Sequence, residues 1–525
     1  MKCILEIPVL INNLSRFIYE PWRIIPMYCH LACSRYSNRK IAQIVALVIV
    51  AIVWTWASIT PAANIEPDQQ NKDLTKVLRA GAYAIDITPL EFPVLVNGGV
   101  RERVANQAHD PLHARCLVLD DSTVQLAIVV VDSCLIPRSL ADEAKDLAAK
   151  DTGIPSERIL ISATHTHSAP SLLGCLGTDC DERYAKWLPG KIAEGIHNAQ
   201  KNLQPARVGW AVGRDEKNVY CRRFLMKPGT ALTNQYSDKR DDRAQMNPGH
   251  NNANAIRRTG PADPDVTILS VQTRDGHPLA LLGNYSTHYA GSPALSADYF
   301  AVFASEIGRL IGAKGDRPRF VGIMSNGTSG DANCSDFMRT KRRKYDYLSV
   351  GRDVAQAAFE AYKTIKYYDW VPLEMREQRL MLDVRLPTKE EITKAREFMK
   401  MFAGRKPRNW EEVYARETVE LAKMGPTREL KLQAIRIGDL GIAAIPCEVY
   451  GSTGLAIKAA SPLQTTMNIS LANGCEGYIA PPEQHKLAGY TTWRARTSCL
   501  EELAEPKIKA TVVGMLVEVA MARGN

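Results

Sequence analysis

The segment Val124–Val131 reads VQLAIVVV, seven apolar residues around a single Gln, with no polar–apolar alternation. A run this short and this apolar is a strand buried on both faces. Arg158–Ala163, Leu279–Gly283, Arg319–Met324, Gly441–Pro446 and Met467–Leu471 have the same character. Amphipathic stretches at Ser139–Lys150, Tyr184–Leu203, Phe300–Ala313, Val350–Lys366, Glu390–Ala403, Asn409–Lys423 and Lys507–Arg523 lie between or after them. Alternation of the two kinds predicts an α/β fold, with mixed sheets covered on both faces by helices. No Pro/Gly/Ser-rich linker divides residues 65–525, which predicts one large domain. Thr230–Pro264 is polar and aperiodic, and is expected to be a long loop or excursion, functional or mobile.

Residues 1–64 differ from the rest. Ile41–Ile59 is an apolar run preceded by Arg35, Arg39 and Lys40 and followed by Pro61-Ala62-Ala63. That is the pattern of a signal peptide or a signal anchor, and it predicts an exported protein, secreted, periplasmic or held on the outer face of a membrane. The chain of 525 residues has 66 basic and 57 acidic side chains. The leader holds six of those basic residues and only two acids, so nearly half of the net +9 reports targeting. What remains is too dispersed for a nucleic-acid binder. Three of the 12 cysteines fall in the leader, leaving an odd nine, of which Cys175 and Cys180 are close enough in sequence to bridge.

Polar residues suited to metal binding or proton transfer follow directly on the strand-like runs. Thr164-His165-Thr166-His167 follows one, and Asn284-Tyr285-Ser286-Thr287-His288 another. Ser325 to Asp331, Cys447-Glu448 and Asn473 to Tyr478 follow three more. Ligands of α/β sheets sit just beyond the carboxyl ends of the strands, so the metal site is expected there. Imidazole nitrogens and a carboxylate are zinc-type donors. Each residue alone also has an ordinary structural use, and only the shared position favours chemistry. Asp132 ends a strand, where it orients a metal-bound His or caps the next helix. Gly330-Asp331 offers backbone N–H groups to an oxyanion or makes a plain turn. Arg222-Arg223 clamps an anion or is solvated. Serine-hydrolase elbow, P-loop, HExxH and dinucleotide fingerprints do not occur in a suitable context.

Taken in order, these segments resemble the neutral/alkaline, non-lysosomal ceramidase family. Gly81-Ala82-Tyr83-Ala84-Ile85-Asp86-Ile87-Thr88-Pro89 is similar to its opening G-x-x-x-x-D-I-T-P. Asp110-Pro111-Leu112-His113-Ala114-Arg115 is similar to its G-L-H-x-R segment. Ser162-Ala163-Thr164-His165-Thr166-His167-Ser168 is the most specific match. Tyr285-Ser286-Thr287-His288, Ile445-Pro446-Cys447-Glu448 and Gly477-Tyr478 follow at compatible places. The match covers most of residues 80–524 and is to the family's catalytic N-terminal domain, without its C-terminal immunoglobulin-like sandwich.

The resemblance implies a Zn²⁺-dependent hydrolase of linear amide bonds, with a small-molecule or lipid amide as substrate and association with a membrane surface. It implies His165, His288, Glu448 and Tyr478 as metal ligands. His167 is implied as the acid–base residue, with Arg222 and Tyr490 lining the site. The family's G-D-V-S-P-N loop is here Gly330-Asp331-Ala332-Asn333-Cys334-Ser335, so Asn333 stands where its serine is expected. That departure keeps two alternatives open: an exported metal-binding protein without hydrolytic activity, and a hydrolase of a different acyl substrate. The sequence leaves oligomeric state open.

Overall fold

The computed structural model describes residues 76–234, 236–237, 241–313 and 319–522. The leader, its apolar run at 41–59 and its cysteines lie outside the described residues.

Eight strands form the larger sheet: β1 (Arg79–Asp86), β2 (His113–Asp120), β3 (Gln125–Val131), β4 (Ile159–Ala163), β5 (Gln204–Arg214), β6 (Asp265–Thr273), β7 (Pro278–Tyr285) and β8 (Val321–Asn326). Their spatial order is β8-β7-β6-β5-β1-β2-β3-β4. The smaller sheet runs in chain order through β9 (Leu373–Asp383), β10 (Thr427–Ile437), β11 (Leu440–Ile445) and β12 (Thr465–Ser470). β3/β4, β7/β8 and β11/β12 are parallel, and the other neighbours are antiparallel. The sheets are therefore mixed, as the sequence predicts.

The covering of the strands differs from the expectation. Ala127, Val129 and Val131 of β3 point into a core with α1 (Arg138–Thr152) and α2 (Glu182–Lys201). Leu126, Ile128 and Val130 point the other way, onto Met375, Ile435, Ile442 and Met467 of the smaller sheet. Helices thus cover one face of each sheet and the second sheet covers the other. α3 (Asp298–Leu310) and α4 (Tyr347–Tyr362) pack on the β6–β8 end. An apolar run requires two buried faces and is indifferent to what buries them. Each fully buried Val, Leu or Ile contributes about 1.5–3 kcal/mol in either setting.

Two helices between β9 and β10 reach toward the site. α5 (Lys389–Lys400) starts with a reciprocal capping box between Thr388 and Glu391. α6 (Trp410–Leu421) is capped by Asn409, whose side chain accepts the Glu412 N–H at 2.8 Å. α7 (Gly451–Ala460) and α8 (Ala504–Met521) cover the outer face of the smaller sheet. Among the described residues no helix is long and apolar enough to cross a membrane. Residues 230–264 carry two short strands, Ala244–Met246 and Ala255–Arg258, both paired with Arg223–Met226. All nine described cysteines are free thiols, so Cys175 and Cys180 do not bridge. Cys175 instead donates to Asn97 Oδ1 and Cys180 to the Leu172 carbonyl.

Candidate metal centre and its cavity

His165 lies two residues past the end of β4, and His288 three past the end of β7. Glu448 opens a two-residue strand just past β11, and pairs there with Tyr478. These ends converge. His165 Nε2 is 3.0 Å from His288 Nε2, 3.2 Å from His167 Nε2 and 3.3 Å from Glu448 Oε2. His165, His288 and Glu448 are buried.

The outer ring nitrogens fix which atoms face inward. His165 Nδ1 is 2.8 Å from the Cys134 carbonyl and His288 Nδ1 is 3.0 Å from the Ser329 carbonyl. A carbonyl only accepts, so each Nδ1 carries the proton and each Nε2 presents a lone pair. Two lone pairs then face each other at 3.0 Å beside a carboxylate oxygen, Glu448 Oε2, that has no hydrogen-bond partner among the described residues. Arg222 Nη2 and His167 Nε2 also approach these rings, at 3.3 and 3.2 Å, and a cation in the middle would relieve the crowding of acceptors. Donors bound tetrahedrally at zinc–nitrogen distances are spaced about 3.3 Å apart. The separations from His165 to His288 and to Glu448, 3.0 and 3.3 Å, are near that spacing, so the donor set fits a metal ion. Burial holds His288 well below the ordinary histidine value, with Arg222 and His165 adding to the effect. Burial does the same to His167, with His165 and Arg222 next. Neutral imidazole is the ligating and proton-accepting form.

His165 has φ +69°, a left-handed conformation that costs a non-glycine residue about 1–3 kcal/mol. Its N–H to the Ser133 carbonyl and its ring contact to the next residue's carbonyl hold it there. Asp132 is not part of this support. It pairs with Arg115 at 2.7 Å and accepts the His113 N–H, which corrects both sequence readings of it. A main-chain carbonyl, invisible in the sequence, takes the orienting role instead.

The other expected residues fall into two groups. Arg222 Nη2 lies 3.3 Å from both His288 ring nitrogens, 3.2 Å from the Gly330 carbonyl and 3.4 Å from Tyr478 OH. Tyr490 meets Tyr478 edge-on with ring centroids 5.7 Å apart. Arg223 is fully buried and binds Gln484, Thr491 and Ala488, pinning the segment that carries Tyr490. Asn333 donates to Asn247 Oδ1 at 3.0 Å and accepts the Ser335 N–H. Ser329 is the serine beside the histidines, with Oγ 3.4 Å from His288 Nδ1. Gly330 N–H is taken by the Val449 carbonyl and the Asp331 side chain accepts the Gly451 N–H, so this loop braces α7. Glu476, at another strand end, is taken by Arg428 at 2.8 Å.

The centre opens into a cavity of about 500 Å³, lined by His167, His288, Arg222 and Tyr478 at its base. Sequence reasoning missed most of its upper wall. Trp410, Tyr414 and Trp493 form an aromatic cluster with Tyr490, with centroid separations from 5.3 to 6.1 Å. Tyr289 stacks on His167 at 3.8 Å. Trp410 and Tyr414, at i and i+4 on α6, were the readable signal, since that spacing shares one helix face.

Two solved structures share this architecture. A ceramidase complexed with C2 aligns with TM-score 0.63 and 16% identity, over 85% of this chain and 75% of its own. The neutral ceramidase from Pseudomonas aeruginosa aligns with TM-score 0.61 and 17% identity, over 85% and 74%. The chain therefore has a ceramidase-like fold. No family model matches the sequence. No curated protein matches it either.

Proposed function

We propose that this chain is a metal-dependent hydrolase of amide bonds and that Zn²⁺ is its ion. The observation that carries the proposal is the pair of Nε2 atoms facing each other at 3.0 Å, each ring anchored through Nδ1 to a backbone carbonyl. His165, His288 and Glu448 would hold the ion, with Tyr478 beside Glu448 as the fourth donor. Bound Zn²⁺ supplies Lewis acidity toward a carbonyl oxygen and a lowered pKa for water.

The protein's own groups do the rest. His167 stands at the cavity base with its Nε2 turned to the centre, where it takes a proton from the attacking water and returns it to the leaving amine. Burial keeps it neutral, as a proton acceptor must be. Arg222 is always charged, and its Nη2 steadies negative charge that develops near Tyr478 OH. Tyr478 OH, 3.4 Å from Arg222 Nη2, lies beside that charge. None of these roles calls on a serine nucleophile, so Asn333 in place of one is compatible with the reaction.

Residues 41–59 would export or anchor the chain, and residues 65–525 would act as one catalytic domain. The test is hydrolysis of fluorescent short-chain ceramide beside a panel of N-acyl amides by the zinc-loaded protein. Release of amine from any member, lost in His165→Ala, supports the reading. No release from any member rejects it.

A further inference from the structure

We infer that the substrate is an amide with a sugar as its amine half, an N-acylated amino sugar. The inference rests on the hydrolase reading for its chemistry but on the upper cavity for its specificity.

The cavity has two unlike walls. One is aromatic: Trp410, Tyr414, Tyr490 and Trp493 contact each other through their rings. Trp410 is 44% exposed and stands at the outer end of this wall, while Tyr490 joins it to Tyr478 at the candidate metal centre. The other wall carries Thr233, Asn234, Gln245 and Asn247, and Glu411 adds a carboxylate beside Trp410. The buried atoms Asn234 Nδ2 and Tyr414 OH, both on lining residues, have no hydrogen-bond partner among the described residues.

A pyranose ring has this same division. Its faces are C–H surfaces that lie against aromatic rings, and its edges are hydroxyls that pair with amides and carboxylates. An alkyl chain would satisfy the aromatic wall only. Oδ1 of Asn234 and Asn247 and Oε1 of Gln245 already accept protein N–H groups. An alkyl chain packed against Thr233 and the amide NH₂ groups of Gln245 and Asn247 would strip those donors of water without replacing their hydrogen bonds. The volume is within the range of about 300–1,000 Å³ that encloses a compact small molecule. The acyl-nitrogen bond of such a sugar would lie at the cavity base, between His167 and Arg222, with the ring above it. Water adds to the carbonyl carbon and the C–N bond breaks. Carboxylate and free amino sugar leave, the amine taking the proton relayed by His167.

The test is titration calorimetry of the full chain, dialysed against chelator, with N,N′-diacetylchitobiose, followed by amine-release assays of the zinc-loaded protein. The zinc-loaded protein should release amine from N-acetylglucosamine or this dimer in preference to short-chain ceramide and N-acetyl amino acids. Binding should be measurable and should weaken about tenfold in Trp410→Ala, the size of one aromatic contact. Trp410→Phe should restore most of it. An unchanged thermal midpoint shows that Trp410→Ala remains folded. Ceramide or acyl-amino-acid turnover without sugar binding would overturn the sugar assignment and keep the hydrolase. Sugar binding that depends on Trp410, without hydrolysis of any amide, would keep the sugar site and reject the hydrolase. Binding indifferent to Trp410→Ala would overturn the inference.

Discussion

His165 and His288 meet Nε2 to Nε2 at 3.0 Å, although 123 residues separate them and each is held from behind by a main-chain carbonyl. β4 is one edge strand of the larger sheet and β7 lies next to the other edge, with β6, β5, β1, β2 and β3 between them. Glu448, just past β11 of the smaller sheet, adds the third donor.

His167 is assigned proton transfer, and its replacement should separate chemistry from metal binding. His167→Asn is expected to lower kcat by about 10²–10⁴. KM and bound metal should change little. Steady-state kinetics with elemental analysis of the same sample checks this.

Gly98 sits at φ +92°, and a Cβ there would lie 2.4 Å from His167 Cγ. Gly98→Ala therefore imposes backbone strain of about 1–3 kcal/mol and pushes the imidazole from its place. The expected outcome is a lower thermal midpoint together with a kcat loss of at least about tenfold. A variant with normal midpoint and kcat would contradict the packing described around His167.

Much of the centre was legible because strand-end residues follow apolar runs without delay. Thr-His-Thr-His after Ile159–Ala163 and Glu448 after Leu440–Ile445 stand out in sequence for that reason. Six strands were readable from apolar runs. β10 was not, since TRELKLQAIRI sets partly buried Arg, Glu and Lys between its buried Leu and Ile positions and resembles a polar segment. The second sheet beneath the first was also hidden, as continuous burial does not say what covers a strand. The aromatic wall was hidden for a different reason. Trp410, Tyr490 and Trp493 belong to segments some 80 residues apart, and only their packing makes them one surface.

Arg223 is buried with its guanidinium on carbonyls and side chains of the 484–491 segment. Arg223→Met removes those bonds and leaves the Ala488 carbonyl and Gln484 Oε1 without their donor. A loss of about 1–3 kcal/mol in unfolding free energy is expected for each buried acceptor left unsatisfied. Urea unfolding measures it.

Acid should loosen the α6 end of the cavity. Arg405 hydrogen-bonds the Glu412 carboxylate at 2.7 and 2.8 Å and lowers its pKa from 4.5 to about 2. A depressed folded-state pKa gives stability that is complete above the unfolded value and is lost as pH falls through the folded one. The loss should therefore run between about pH 4.5 and 2. Glu412→Gln should be less stable than the wild type at pH 6, with the difference closing toward pH 2. Urea midpoints across that range check the sign.

The central claim is that His165, His288 and Glu448 form a zinc site. Elemental analysis of protein purified with zinc and then dialysed tests it most directly. About one zinc per chain is expected in the wild type, as in single catalytic zinc sites. Almost none is expected in His165→Ala and His288→Ala, with folding retained by circular dichroism. A wild type that retains no metal, or variants that retain as much as the wild type, would contradict it.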